Sequence, residues 1–143
     1  MTGAAEALLA KEQLAELASR LGERFHGQEA GIRARDRVQA SQLFRAVQLA
    51  AEEDGCEKVA RLADHQLERS TLKPAYRQFW QTVRAMARSR AEEVRNYLGD
   101  RSGLSDAEFR RLLELFVVEI LYLRASDGGA GGQPGGPGAR RRR

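Results

Sequence analysis

The 143-residue chain reads as an all-α protein: a five-helix, bundle-like single domain over residues 1–125, followed by a disordered Gly/Pro-rich tail over 126–143. Apolar residues recur at helical spacing almost throughout, and no stretch shows the sustained alternation or β-branched enrichment that strands need. The closing SDGGAGGQPGGPGARRRR holds no apolar side chain larger than alanine, so it has nothing to bury. The length suits one domain with a modest core.

A first helix is expected over about 4–21, with Leu8, Leu14, Leu17 and Leu21 on one side, ending before Gly22. The stretch 22–37, GERFHGQEAGIRARDR, carries three glycines and four arginines and reads as a connector with at most a short turn of helix. A second helix, about 39–53, turns Leu43, Phe44, Val47 and Ala51 inward and breaks at Asp54-Gly55. The third, about 56–70, buries Val59, Leu62, Ala63 and Leu67, which makes the pair an α-hairpin on a very short turn. Pro74 suits the first turn of a long fourth helix running to Leu98 and closed by Gly99, because proline's missing N–H would be unpaired there in any case. Ser105-Asp106-Ala107-Glu108 is a capping box in which Ser and Glu satisfy the first orphan N–H groups reciprocally. The fifth helix that it opens is the most apolar, with Phe109, Leu112, Leu113, Phe116, Val117, Ile120, Leu121 and Leu123. It is expected at the centre of the bundle or partly at an oligomer contact.

The charge pattern carries the functional expectation. Of 24 basic and 20 acidic residues, the terminal Arg140–Arg143 supply the whole net charge of +4, so the other 139 residues are balanced at 20 and 20. Within that neutral body Arg77, Arg84, Arg88 and Arg95 lie at offsets of 0, 7, 11 and 18, a band of about 40° on a helix turning about 100° per residue. Tyr76, Phe79, Trp80, Val83, Met86, Val94 and Tyr97 occupy the opposite face and read as packing. Lys73, Gln81 and Ala91 fill the intervening stripe positions, so no carboxylate on the same helix neutralises the arginines. With Lys73 the stripe makes a rail about 33 Å long, enough to follow several phosphates. The nucleic-acid-binding candidates are therefore Lys73, Arg77, Arg84, Arg88 and Arg95, with Arg45 and the connector residues Arg33, Arg35 and Arg37 as weaker ones.

Other chemistry is not indicated. His26 and His65 have no partner at metal-ligand spacing, and His65 beside Asp64 reads as a surface pair. No glycine-rich phosphate loop, nucleophile elbow or activated Cys-His pair is found. Glu52-Glu53-Asp54 and Glu92-Glu93 are adjacent on helices, which points their side chains about 100° apart and leaves them as solvated carboxylates. Neither a catalytic role nor a cofactor is expected. The single cysteine, Cys56, fits a reducing compartment and a partly buried position. The absence of a membrane-length apolar run and of a secretory signal in the opening residues leads to an expected cytoplasmic location.

Two stretches resemble a known family. Val38-Gln39-Ala40-Ser41-Gln42-Leu43-Phe44-Arg45 looks like the entry to an early helix of the small helical subunit of type III CRISPR effector complexes. Phe109-Arg110-Arg111-Leu112-Leu113-Glu114-Leu115-Phe116-Val117-Val118 is similar to that family's closing helix, and the resemblance spans about 38–124. It implies a subunit without nuclease activity that stacks in several head-to-tail copies, adjoins other effector subunits and holds the guide RNA–target RNA duplex. The stripe arginines come from helix geometry and not from a family motif. Two further readings compete: a helical DNA-binding transcriptional regulator, disfavoured by Glu57, Asp64 and Glu68 on the third helix, and a protein-interaction adaptor that uses the apolar surplus of the fifth helix.

Overall fold

The computed structural model describes residues 9–131, with side chains as far as Asp127. The elements are α1 (Lys11–Glu29), a 3-10 turn (Ala34–Asp36), α2 (Ala40–Ala50), α3 (Gly55–Leu67), α4 (Pro74–Ala87), α5 (Glu92–Leu98) and α6 (Asp106–Gly131). All five expected helical segments are present, the fourth in two pieces, and no strand occurs among the described residues. Leu8 and the tail from 132 onward, with Arg140–Arg143, lie outside the described residues.

The first helix corrects the expectation at its end. It runs through Gly22 and Gly27 to Glu29, so the first half of the expected connector is helical. Gly22 is a packing point and not a stop: a Cβ there would lie 2.6 Å from Glu119 Cγ, so its absence lets α1 and α6 approach closely. A mid-helix glycine costs about 1 kcal/mol. Continuing the helix offsets that by burying Phe25 completely, a gain of about 1.5–3 kcal/mol. The remainder of the connector is ordered by Arg37, whose guanidinium donates to the carbonyls of Ile32 (2.9 Å) and Ala30 (3.1 Å).

Helices α2 and α3 form the expected hairpin. Asp54 takes a left-handed conformation (φ 56°), and a Cβ on Gly55 would lie 2.1 Å from the Ala50 carbonyl oxygen, so only glycine fits. Two inward assignments fail: Phe44 is 47% exposed, because Leu43 and Ala46 take the core-facing positions of this short helix, and Ala51 is exposed as the residue that caps its end.

The expected helix 74–98 breaks at Arg88–Ala91. Ser89 adopts a left-handed φ of 55°, its N–H donates to Met86 O (3.1 Å), and Arg90 N–H donates to Ala85 O (2.7 Å). This is a Schellman ending with serine where glycine is usual. The strain, about 1–2 kcal/mol for a residue with a Cβ, is met by the buried Ser89 hydroxyl accepting the Leu104 N–H at 3.1 Å. The last helix starts as expected, with Ser105 N–H donating to Glu108 Oε1 (2.9 Å) and Glu108 N–H to Ser105 Oγ (3.1 Å). It continues past Ser126, where the sequence pattern places the start of the tail, to Gly131.

The core sits where α1 and α6 pair along their length and α4 crosses them. Phe25, Phe79 and Phe116 meet there at centroid distances of 5.9–6.2 Å, with Trp80 5.0 Å from Phe79. All four rings are buried. Two buried carboxylates tie the long helices to the rest. Glu29 accepts from Nη2 and Nε of Arg124 (2.7 and 2.8 Å) and lies 3.1 Å from His26 Nδ1, whose Nε2 meets Asp127. Glu108 accepts from Arg101 and from the Leu9 N–H (2.7 Å).

Candidate nucleic-acid interface

The stripe is built on α4 against α3, and the structure divides it. Arg88 is the C-cap of α4 and Arg95 sits on the separate helix α5, so the continuous rail of the expectation is broken at the Ser89 turn. Arg77, Arg84 and Arg88 remain together on the outer face of α4, each half-buried. Arg95 is apart and donates to Ser102 O at 3.5 Å.

The expectation that the stripe is not neutralised is also corrected, since the carboxylate comes from the neighbouring helix. Asp64 of α3 accepts from Arg88 through both oxygens (3.0 and 2.6 Å) and from Arg84 at 3.3 Å. The two N–H donors of Arg88, with Arg84 adding, hold the Asp64 carboxyl below its ordinary range, and Asp64 in turn raises Arg88. His65 is exposed beside it, while Asp64 serves the arginines and not a surface pair with its neighbour. Arg77 donates to the carbonyls of Leu67 (3.2 Å) and Arg69 (2.9 Å), closing the C-terminal end of α3 where orphan carbonyls need partners. Lys73 reaches Asp36 of the 3-10 turn at 3.4 Å.

Asp64 faces two guanidinium groups, with Glu57 near enough to act on Arg88 as well, and Arg77 rests on neutral carbonyls, so three arginines stand against two carboxylates. The α3/α4 face is therefore still cationic, with side chains already fixed in place. Ordering a long side chain costs about 1.5–2 kcal/mol, so guanidinium groups held before contact meet a phosphate at lower entropic cost.

The remaining candidates separate. Arg45 is exposed on α2 beside the outward-facing Phe44, away from the stripe in sequence and on a different helix. Arg33 and Arg35 are exposed at the 3-10 turn, while Arg37 is engaged in clamping its own loop. The aromatics of α4 are packing: Phe79 and Trp80 are buried, and Tyr76 is partly covered. Tyr97 donates its hydroxyl to Glu16 (2.5 Å), which raises the phenol and lowers the carboxyl. Glu93 is not freely solvated as expected, but pairs with Arg24 at 2.7 Å. Cys56 donates to the Ala87 carbonyl, and burial, with the charges of Asp106 and Glu57, pushes its thiol up to about 11, which makes it a poor nucleophile. No group of three or more metal-ligating side chains occurs among the described residues, and none of their helices is long and apolar enough to cross a membrane.

Sequence reasoning missed Asp64, Asp36 and Arg69 as parts of this face. The hairpin pattern joined the second and third helices and said nothing of how the third lies against the fourth, and the register that sets Asp64 opposite Arg84 and Arg88 depends on how those two helices cross. Comparison with known protein families, with curated proteins and with solved structures finds no match for this chain.

Proposed function

We propose that the chain is a non-catalytic RNA-binding subunit of a CRISPR RNA-guided effector complex, present in several copies, whose α3/α4 face bears on the phosphates of the guide–target RNA duplex. The observation that carries this reading is the set Arg77, Arg84 and Arg88, held on one face by the end of α3 and by a single carboxylate. Such a face suits a regular backbone of phosphates, because it offers spaced, fixed positive charge without base-reading chemistry. The resemblance at 38–45 and 109–118 supports the assembly part of the proposal.

Phe44, Val118 and Tyr122 are 47%, 59% and 64% exposed. They favour a second reading, a protein-interaction adaptor, since large apolar side chains left in water mark contact surfaces. Affinity purification of the tagged full chain at moderate salt, with sequencing of bound RNA and identification of accompanying proteins, separates the two. Repeat-derived guide RNA together with larger subunits is the expected result. Recovery of partner proteins that survive RNase, with no guide RNA, would overturn the effector reading in favour of the adaptor, and recovery with duplex DNA would favour a regulator.

A further inference from the structure

Lys73 stands between two small hollows at the edge of the stripe. One, of 210 Å³, is lined by Arg69, Thr71, Leu72, Lys73 and Tyr76. The other, of 300 Å³, is lined by Ile32, Asp36, Lys73 and Pro74. They differ in chemistry. The first is walled by donors: the Arg69 guanidinium, which gives one bond to Gln66 Oε1 (3.2 Å), the Lys73 ammonium, the Thr71 hydroxyl, and the hydroxyl of Tyr76. That hydroxyl accepts the Gln39 N–H at 3.2 Å and has no acceptor for its own proton among the described residues. No carboxylate lines this hollow. The loop 68–73 that forms it is anchored by the Arg77 bonds to Leu67 O and Arg69 O, so its backbone is held before a ligand arrives. The second hollow has apolar walls, Ile32 and Pro74, and one acceptor, the Asp36 carboxylate. In this structure Asp36 and Lys73 pair with each other across the ridge at 3.4 Å, both side chains about half exposed (42% and 55%).

We propose that this double hollow is a purine-nucleotide site, with the phosphate on Arg69, Thr71, Lys73 and Tyr76, and the base against Ile32 and Pro74. Guanine is the preferred base, because its edge presents adjacent N–H donors to the Asp36 carboxylate. A donor-walled hollow selects an anion, and an apolar slot ending in one acceptor selects a flat ring with donors. The Lys73–Asp36 bridge opens on binding, Lys73 turning to the phosphate and Asp36 to the base. The nucleotide is either free or an unpaired residue of an RNA strand. The site does not depend on the duplex-binding reading, because it uses none of Arg84, Arg88 or Arg95.

Amide chemical shifts of the labelled full chain test it, titrated separately with GMP, UMP, inorganic phosphate and a 5′-phosphorylated guanine-rich single-stranded octamer. GMP is expected to shift Ile32, Asp36, Thr71–Lys73 and Tyr76 and to bind more tightly than UMP. Lys73→Ala is expected to weaken GMP about tenfold, by loss of a charge-assisted bond. Asp36→Asn is expected to erase the preference over UMP, and Arg84→Ala to change neither. Both altered side chains of the site are exposed, and unchanged shifts elsewhere report that the variants are folded. Binding of GMP with no binding of the octamer assigns the site to a free nucleotide, and binding of both extends it to RNA ends. Equal binding of phosphate and GMP, or GMP affinity unchanged in Lys73→Ala, would overturn the proposal. Neither result bears on duplex RNA binding through α4.

Discussion

Asp64 sets the strength of the basic face. Its two oxygens occupy both terminal nitrogens of Arg88 and one of Arg84, so it holds the guanidinium groups in place and also competes with any phosphate for them. Asp64→Asn removes the competing charge and is expected to raise affinity for duplex RNA about tenfold, the equivalent of one bond to a charged group, and to steepen the salt dependence. Arg84→Glu with Arg88→Glu is expected to abolish binding. Both are read by fluorescence anisotropy at two salt concentrations, with circular dichroism showing unchanged helicity. Weaker binding in Asp64→Asn would mean that Asp64 positions the arginines more than it screens them. The grouping of Arg77, Arg84 and Arg88 was legible because their spacing belongs to α4 and its C-cap, while Arg95 was misplaced with them because the break at Ser89 was not. Asp64 was not, because its relation to Arg84 spans 20 residues and a crossing of two helices.

The start of α6 depends on Glu108. Burial alone would raise this carboxyl, but the bonds from Arg101, from the Ser105 N–H and from the Leu9 N–H outweigh it and hold Glu108 at about 2. A folded-state value below the ordinary one of 4.5 means that the contribution is fully present above pH 4.5. It is lost as pH falls from there through 2. Glu108→Gln, which breaks the buried pair, is expected to cost about 3 kcal/mol at pH 7. The difference from the natural chain should narrow below pH 4.5 and vanish near pH 2, as measured by urea unfolding across that range. A constant difference would show that the loss comes from packing and not from charge. The capping box itself was readable from Ser105 and Glu108, since both lie within one turn. Its extension to Arg101 and to the backbone of Leu9, 99 positions away in sequence, was not. The break at Ser89 was missed for a related reason. No glycine or proline marks it, and the hydroxyl that makes the left-handed turn tolerable is satisfied by Leu104 from another segment.

Across the whole molecule, Phe25, Phe79 and Phe116 bring α1, α4 and α6 to one point. Phe116→Ala is expected to cost about 3–5 kcal/mol, a large share of the 5–15 kcal/mol that typically holds a domain folded. A fall in the urea midpoint checks it, and a loss under about 1 kcal/mol would place the centre of the core elsewhere. Trp80, 5.0 Å from Phe79, supplies the fluorescence signal for that transition.

By itself the sequence determined the helical class, the α2/α3 hairpin, the start of α4 at Pro74, the cap at Ser105 and the side of α4 that carries the arginines. These follow from spacing and backbone chemistry within a turn or two of the chain. The tertiary structure decided that Gly22 is a contact and not an ending, that Phe25 belongs to the core and Phe44 to the surface, and that the rail is cut at Ser89. It also decided that Asp64 and Asp36 stand against the basic residues. Each of those outcomes turns on which helix faces which and at what register, and that is set by the competition among all apolar faces for one interior, a quantity no local window contains.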